Sequence, residues 1–268
     1  MILVGGVLVI RYVLNDALQT SQDVERYLDF PVLCEIPKSH SCEYEKGNEN
    51  HRSSKGRSEA LNTLRTNIMF SGEDIRTILL TSTCSLEGKS LISLQLAKSF
   101  AENNKKCVYV DCDLRKSVTV TRYRIRGKVE GLTEWISGQT SNILYSTNIP
   151  NLYMVMSGHL VPKPIEMFQS RHFEDMLKAL RKQFDYVILD APSLGSVVDA
   201  SVISQKVDGT VFVVRSDAVG RGEAQRAVKQ LKKSGGRILG VALNGVGTHK
   251  GEYYDKYASS YKNYYQKE

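Results

Sequence analysis

The chain has 268 residues, of which 41% are hydrophobic and 24% charged, and its formal net charge is +7 at pH 7. This size and composition suit one globular domain with appendages, and they exclude wholesale disorder and a polytopic membrane protein. A basic chain can bind nucleic acid, anionic lipid or phosphorylated ligands, so charge alone does not choose among these partners. The five cysteines form no CxxC pair, which favours reduced thiols and a cytosolic setting.

An uninterrupted apolar run, Ile2–Ile10, opens the chain and is followed by Arg11. The run is too short to span a bilayer alone, which takes about 20 residues, and it lacks the features of a signal peptide. One interpretation is a core strand. We favour a second one, in which residues 1–13 are the end of a truncated transmembrane helix and Arg11 marks its cytoplasmic edge.

The next segment carries short helical signals. Tyr12–Gln19 is predicted to be helical, and the capping-box pattern at Thr20–Asp23 predicts a second helix that ends near Leu28. A short strand is predicted at Val32–Ile36. Residues 39–58 are polar and show no period, which predicts a linker.

From Glu59 onward, apolar strands alternate with amphipathic helices. The predicted strands are Ile78–Thr81, Val108–Val110, Leu152–Met156, Val187–Leu189, Val211–Val214 and Ile238–Leu243. The predicted helices are Glu59–Phe70, Ser90–Glu102, Arg171–Gln183, Ala200–Lys206 and Gly222–Lys233. This alternation predicts an α/β domain over residues 59–248, in which helices cover both faces of a parallel β-sheet.

The first chemical motif is the segment TSTCSLEGKS, residues 81–90, which joins a predicted strand to a predicted helix and ends in the GK[ST] pattern of a phosphate loop. Backbone N–H groups and the helix dipole bind phosphate in such loops, Lys89 adds positive charge, and Ser90 offers a hydroxyl to Mg²⁺. Thr83 and Leu86 depart from the usual glycines. The predicted nucleotide-binding residues of the loop are Ser85, Leu86, Glu87, Gly88, Lys89, Ser90 and Leu91.

Two other predicted strands end in carboxylates. Asp111 and Asp113, with Arg115 behind them, follow one strand, and Asp190 follows another. A single aspartate at a strand end is as often a helix cap or a turn residue as a ligand. In open α/β sheets, however, ligands bind outside the carboxyl ends of the strands. Three strand-end aspartates beside a GKS sequence therefore predict one catalytic site, formed with Lys89.

Together these motifs resemble those of the bacterial tyrosine kinases of capsule and exopolysaccharide synthesis, which are relatives of the MinD/ParA group of phosphate-loop ATPases. The resemblance extends to Pro162–Glu166, to the pair Asp199-Ala200 and to Gly240–Asn244, whose Asn244 corresponds to a residue near the adenine. It implies a MinD/ParA-like phosphate-loop NTPase fold. It also implies that residues 14–38 are similar to the cytoplasmic end of the family's membrane activator.

The resemblance implies roles for individual residues. Lys89 neutralises phosphate charge, while Ser90 and a water held by Asp190 coordinate Mg²⁺. Asp113 helps to hold the metal shell. Asp111 contacts the attacking tyrosine hydroxyl, because a phenol with a pKa of about 10 gains from a carboxylate acceptor. The implied cofactors are ATP and Mg²⁺.

One helix resembles the segment that joins subunits of this family into a ring. Glu59, Asn62 and Arg65 occupy the positions of its E-x2-R-x2-R motif, in which Asn62 replaces the first arginine. Glu59 and Arg65 are therefore the predicted oligomerisation residues.

The last feature is the tyrosine tail, residues 249–268, which holds no leucine, isoleucine or valine. This composition predicts disorder. Aromatic and basic tails can bind single-stranded nucleic acid, but beside a kinase-like site a substrate segment is the better interpretation. The predicted phosphoacceptors are Tyr253, Tyr254, Tyr257, Tyr261, Tyr264 and Tyr265.

The sequence thus predicts an ATP-dependent protein-tyrosine autokinase at the cytoplasmic face of the bacterial plasma membrane, which regulates capsular or exopolysaccharide polymerisation or export. Its expected partners are its own copies, the polysaccharide machinery, a cognate tyrosine phosphatase and, through its N-terminal segment, the membrane; nucleic acid is not expected. The alternatives are a MinD/ParA-like ATPase without kinase activity and a nucleotide-sensing scaffold without chemistry.

Overall fold

A computed structural model of the chain describes residues 16–38, 51–116 and 129–247. The predicted end of a transmembrane helix, residues 1–13, and the tyrosine tail lie outside these ranges. Within them, no helix combines the length and the apolar character that crossing a membrane requires.

One sheet organises the described residues. Its strands are β1 (Val32–Pro37), β2 (Thr77–Ser82), β3 (Cys107–Asp111), β4 (Tyr145–Ser146), β5 (Leu152–Val155), β6 (Tyr186–Asp190), β7 (Gly209–Arg215) and β8 (Ile238–Val246). The helices are α1 (Ser21–Leu28), α2 (His51–Phe70), α3 (Lys89–Glu102), α4 (Leu132–Ile136), α5 (Pro164–Gln169), α6 (Arg171–Gln183), α7 (Asp199–Ser204) and α8 (Arg221–Lys233).

The strand order across the sheet is β1-β8-β7-β2-β6-β3-β5-β4. Every neighbouring pair is parallel except β4 and β5. The predicted α/β fold is confirmed, and each strand predicted from Val32 to Leu243 is present. Helices cover both faces of a parallel sheet, which is why the central strands are apolar through their middle residues.

Alternation along the strands creates a core on each face. In β2, Ile78 and Leu80 face α2 and α3, whereas Leu79 belongs to the core on the opposite face. That second core is completed by apolar residues of α1, α6, α7 and α8. The central strands are thus buried on both faces, and the polar ends of the strands are left to form a site at the edge.

The N-terminal part of the described chain is built into this same sheet. The predicted capping box is confirmed, since the Thr20 hydroxyl accepts the N–H of Asp23 and the Asp23 carboxylate accepts the N–H of Thr20, at 3.2 and 3.1 Å. Helix α1 packs on α8, and β1 pairs in parallel with β8. Residues 16–38 therefore belong to the folded unit.

Two sequence predictions are wrong at the ends of elements. Residues 16–19 were predicted helical, but Ala17 forms an antiparallel bridge with Gly220, and the N–H of Leu18 donates to the Val219 carbonyl at 3.0 Å. Residues 51–58 were predicted to be linker, but α2 begins at His51. This first part of α2 carries no apolar stripe, so no period marks it in the sequence.

At the amino end of the strands, Asp208 joins β2 to the turn before β7. Its carboxylate accepts the N–H groups of Arg76 and Thr77 and the Thr77 hydroxyl at 3.0, 2.8 and 2.8 Å. Its other oxygen accepts from Arg181 at 2.7 Å. Burial raises the pKa of Asp208, but these hydrogen bonds and the Arg181 charge outweigh burial and hold the pKa below its ordinary value of 3.8.

We expect Asp208→Asn to lower the free energy of unfolding at pH 7 by about 1–2 kcal/mol, because hydrogen bonds to a charged acceptor are weakened. Since the folded-state pKa is lowered, the stabilisation by Asp208 is present above pH 3.8 and is lost as the pH falls through the folded-state value. Urea unfolding across this range measures the difference. Asp175→Asn, at a side chain 53% exposed, is the control and should have little effect. A pH-independent difference would contradict the assignment.

Candidate active site

Three neighbouring strands bring the predicted site residues to one edge of the sheet. Strands β2, β6 and β3 are adjacent, and they end at Ser82, Asp190 and Asp111. Asp111 lies directly opposite Asp190 in the parallel register of β3 and β6. The convergence predicted from the sequence is therefore present at the carboxyl edge, where ligands bind in open α/β sheets.

The phosphate loop occupies residues 83–88, between β2 and α3. Gly88 is the N-cap of α3 and has a φ of 91°, a left-handed conformation that favours glycine. A Cβ added there would lie 2.4 Å from Nδ2 of Asn244, so a side chain at this position would have to displace the Asn244 amide. Helix α3 then begins at Lys89 and directs the unpaired N–H groups of its first turn toward the loop. This arrangement suits a bound phosphate.

Lys89 and Asp190 form the centre of the site. The Lys89 ammonium lies 3.5 Å from Oδ1 of Asp190, and their side chains are 12% and 2% exposed. The same ammonium lies 3.3 Å from the Ser90 hydroxyl. The three predicted residues are thus in contact, with opposite charges facing one another beside the start of α3.

Asp111 and Asp113 shape the turn after β3. Oδ1 of Asp111, a buried side chain, accepts the N–H of Asp113 at 3.0 Å. Oδ1 of Asp113 accepts the N–H groups of Arg115 and Lys116 at 3.3 and 2.9 Å. Asp113 therefore also has the turn-capping role that strand-end aspartates commonly have, while its position remains at the edge of the site.

The oxygen donors at this edge suit magnesium. Mg²⁺ is usually held by one or two carboxylates together with waters and substrate phosphates, not by a cage made entirely of protein groups. Asp190 and the Ser90 hydroxyl are of this kind. Across residues 16–38, 51–116 and 129–247, no group of three or more Cys, His, Asp or Glu side chains is arranged to hold a metal by itself. The residues fit a metal that shares its coordination with a nucleotide.

Arg115 lies beside the site and pairs with Asp199 at the start of α7. Its Nε and Nη2 donate to the two carboxylate oxygens of Asp199 at 2.7 and 3.1 Å, and Nη1 donates to the Pro162 carbonyl at 3.3 Å. The hydrogen bonds from Arg115 to Asp199 raise the pKa of the guanidinium. Arg115 thus ties together three segments that the sequence motifs had marked separately.

Glu87 belongs to the phosphate loop, and its side chain helps to hold the loop in place. Its carboxylate is buried and accepts the N–H groups of Cys84 and Arg215 at 2.6 and 3.1 Å. Burial raises the pKa of Glu87 to about 7. The Glu87 carbonyl accepts from Nδ2 of Asn244 at 2.8 Å. Glu87 and Asn244 were predicted as nucleotide-binding residues, and here their side chains hold the loop.

Leu86 stands out in the loop. Its φ is 69°, and its side chain is 87% exposed. A left-handed leucine costs about 1–2 kcal/mol relative to a right-handed one, which explains why glycine is usual at this position. The Arg215 guanidinium donates to the Leu86 carbonyl at 3.0 Å and helps to hold this conformation.

Two side chains that sequence reasoning missed complete the surroundings of Asp190. The Ser93 hydroxyl lies 3.2 Å from Oδ1 and 2.8 Å from the Lys89 carbonyl, which compete for its one proton, and the Tyr109 hydroxyl donates to Oδ2 at 3.1 Å. Ser93 follows Ser90 by one helical turn, which is a signal that the sequence offered. Tyr109 lies within an apolar strand, where its ring is indistinguishable from a core residue.

The remaining predicted residues lie apart from this centre. Glu59 is exposed on α2. The Arg65 guanidinium donates to the carbonyl and the hydroxyl of Ser99 on α3 at 2.8 and 2.9 Å, and Ser99 also donates to Asn62 at 2.8 Å. The six predicted phosphoacceptor tyrosines lie outside the described residues.

Comparison with known proteins agrees with this geometry. The AAA domain family model matches residues 76–221. The tyrosine-protein kinase CpsD of Streptococcus pneumoniae serotype 4 is 42% identical over 188 residues, which are 69% of this chain and 83% of that protein. The alignment with the crystal structure of the chimerical protein CapA2B2 covers 84% of this chain and 98% of the CapA2B2 chain, with 30% sequence identity and a TM-score of 0.75.

The kinase domain of the Escherichia coli tyrosine kinase ETK has the same fold, with a TM-score of 0.76 and 22% identity over 85% of this chain and 93% of that domain. The matched residues 76–221 include the phosphate loop and all three strand-end aspartates. The family resemblance carried by these motifs is confirmed. The chain belongs to the bacterial tyrosine-protein kinases.

Proposed function

We propose that this chain transfers the terminal phosphoryl group of ATP to tyrosine side chains, including those of the tyrosine tail of a neighbouring copy. By this reaction it regulates the polymerisation or export of a capsular polysaccharide or exopolysaccharide. The observation that carries the proposal is the contact of Lys89 with Asp190 at the start of α3, with Asp111 directly opposite in the next strand.

Each residue has a role that follows from its surroundings. The N–H groups at the start of α3 and the Lys89 ammonium bind phosphate oxygens. Ser90, Asp113 and Asp190 would hold Mg²⁺, which when bound neutralises phosphate charge and orients the transferred group. Asp111 accepts the hydrogen bond of the attacking phenol. Phosphoryl transfer requires mostly positioning and charge stabilisation, which a rigid strand edge provides.

Several partners follow from the proposed reaction. Residues 1–13 would anchor the chain so that the domain lies at the cytoplasmic face of the plasma membrane. Copies would associate through α2, with Glu59 exposed and Arg65 partly buried against α3. The polysaccharide machinery and a cognate tyrosine phosphatase would respond to the phosphorylated tail, since each phosphate adds about −1.5 to −2 of charge.

Lys89→Met should lower tyrosine autophosphorylation about 100-fold, because a donor to the transferred charge is lost. The unfolding temperature should also fall, because the buried Asp190 loses its ion-pair partner, so the assay is run well below that temperature. The readouts are an anti-phosphotyrosine blot and phosphate release after incubation with Mg-ATP. Lys98→Met, on the same helix with a side chain 46% exposed, is the matched control and should behave as the parent chain.

Normal phosphorylation by Lys89→Met would overturn the site assignment. If the unmodified chain releases phosphate without forming phosphotyrosine, it is instead a MinD/ParA-like ATPase. If it does neither while binding nucleotide, the scaffold alternative holds.

The two opposed aspartates should separate binding from transfer. Asp190→Asn should lose Mg²⁺-dependent nucleotide binding, because the charge that faces Lys89 and the metal is removed. Asp111→Asn should keep that binding and lose phosphotyrosine formation. Equilibrium binding of a fluorescent ADP analogue, measured beside autophosphorylation, tests both. Equal loss of binding in the two variants would remove the case for Asp111 as the hydroxyl contact.

Transfer to the tyrosine tail should occur between copies. The experiment mixes a Lys89→Met chain that carries the intact tail with an active chain truncated after Thr248. Phosphate is expected on the six tail tyrosines of the inactive chain, as mapped by mass spectrometry. An inactive chain with all six tyrosines changed to phenylalanine is the control and should remain unlabelled. An unlabelled intact tail would show that transfer between copies is wrong.

A further inference from the structure

The carboxylate of Asp190 is held on both of its oxygens. Oδ1 faces the Lys89 ammonium at 3.5 Å and lies 3.2 Å from the Ser93 hydroxyl. Oδ2 accepts from the Tyr109 hydroxyl at 3.1 Å. The donors come from α3 on one side and from β3 on the other, so the plane of the carboxylate is fixed by two different elements.

Tyr109 carries a polar hydroxyl at a position in the apolar core. Its ring is 1% exposed and belongs to the core that β2 and β3 share with α2 and α3. Its neighbours on that face include Ile78 and Ile188, and an apolar side chain there would satisfy packing alone. A buried hydroxyl costs free energy unless it has a hydrogen-bond partner. The hydroxyl donates to Asp190, a carboxylate that also contacts the Lys89 ammonium.

We propose that Tyr109 is a positioning residue, whose hydroxyl fixes the orientation of Asp190 and thereby sets how well the site binds the divalent cation of a nucleotide. The inference rests on the proposed Mg-nucleotide site. Groups that orient a metal-holding carboxylate influence metal affinity about 10- to 100-fold, although they do not touch the metal.

The Tyr109 hydroxyl influences cation binding by fixing the orientation of the Asp190 carboxylate. With Tyr109 in place, Oδ2 is engaged from the β3 side, and Oδ1 stays directed toward Lys89 and Ser93. Without the hydroxyl, Oδ2 loses this donor, and the carboxylate is held on the Oδ1 side alone, which leaves it a wider range of orientations. A carboxylate that samples several orientations binds a cation less tightly, because ordering it costs conformational entropy.

The test is Tyr109→Phe, which keeps the ring and removes only the hydroxyl. Magnesium chloride is titrated into the full chain with a fluorescent ADP analogue, and the half-saturating Mg²⁺ concentration is read from the nucleotide signal. We expect it to rise about tenfold in Tyr109→Phe. Nucleotide binding in EDTA should be unchanged, because the phosphate loop is intact.

Tyr145→Phe is the matched control. Its hydroxyl also makes one hydrogen bond, to the Glu130 carbonyl at 2.8 Å, but it lies away from Asp190. This variant should bind Mg²⁺ and nucleotide as the parent chain does. Thermal unfolding without ligand should show a larger loss of stability in Tyr109→Phe than in Tyr145→Phe, because the Tyr109 hydroxyl serves a buried carboxylate. The titrations are run at a temperature where both variants are folded, which separates folding from positioning.

The outcomes are distinct. A Mg²⁺ requirement equal to that of the parent chain would overturn the positioning role while leaving the proposed function intact. Equal weakening of nucleotide binding in EDTA and in Mg²⁺ would also overturn it, because the hydroxyl would then serve packing only. If the parent chain shows no Mg²⁺-dependent nucleotide binding, the proposed function fails, and this inference fails with it.

Discussion

The burial of a carboxylate at the end of β6 is the constraint on which the site depends. Asp190 is 1% exposed, and an ionised group so far from water must be compensated by nearby donors or opposite charge. The chain supplies Lys89 and Ser93 from the helix that follows the phosphate loop, and Tyr109 from the adjacent strand. The same contacts that make burial tolerable also fix the start of α3 relative to the sheet edge.

A second set of contacts holds the loop from the opposite side. Glu87 and Asn244 join the loop to the ends of β7 and β8, and Gly88 leaves room for the Asn244 amide. The loop is therefore fixed by side chains from strands on both sides of β2. A phosphate-binding loop anchored in this way needs little rearrangement when an anion arrives, and preorganised donors are the main source of electrostatic stabilisation in such sites.

Much of this arrangement could be predicted from the sequence because its signals are local. Apolar strands such as Val187–Leu189 end in aspartates, and TSTCSLEGKS carries its own turn and helix start. The order of the chain then places those ends at one sheet edge. Pairings that join distant parts of the chain leave no such signal, as with Arg115 and Asp199, which are 84 residues apart. The sequence motifs marked both residues without showing that they meet.

Two other differences have equally physical causes. Residues 16–19 are not helical because their backbone pairs with residues near Gly220, a tertiary contact that outweighs helix propensity. The start of α2 at His51 is polar and follows no period, so only the three-dimensional structure shows it. The role of Tyr109 was missed for a related reason, since a tyrosine in a buried strand has the same sequence pattern as any other aromatic core residue.

Because residues 16–38 are part of the folded unit, their contact with the rest of the domain does not depend on the protein concentration. Helix α1 covers part of α8, and β1 extends the sheet beyond β8, which also carries Asn244. Where such a segment is supplied by a separate protein, its occupancy follows mass action and falls on dilution. Here the segment is covalently attached, so its stoichiometry is one to one and its effective concentration is set by the chain itself. The contact therefore persists at any expression level, and competition from a free segment would be weak.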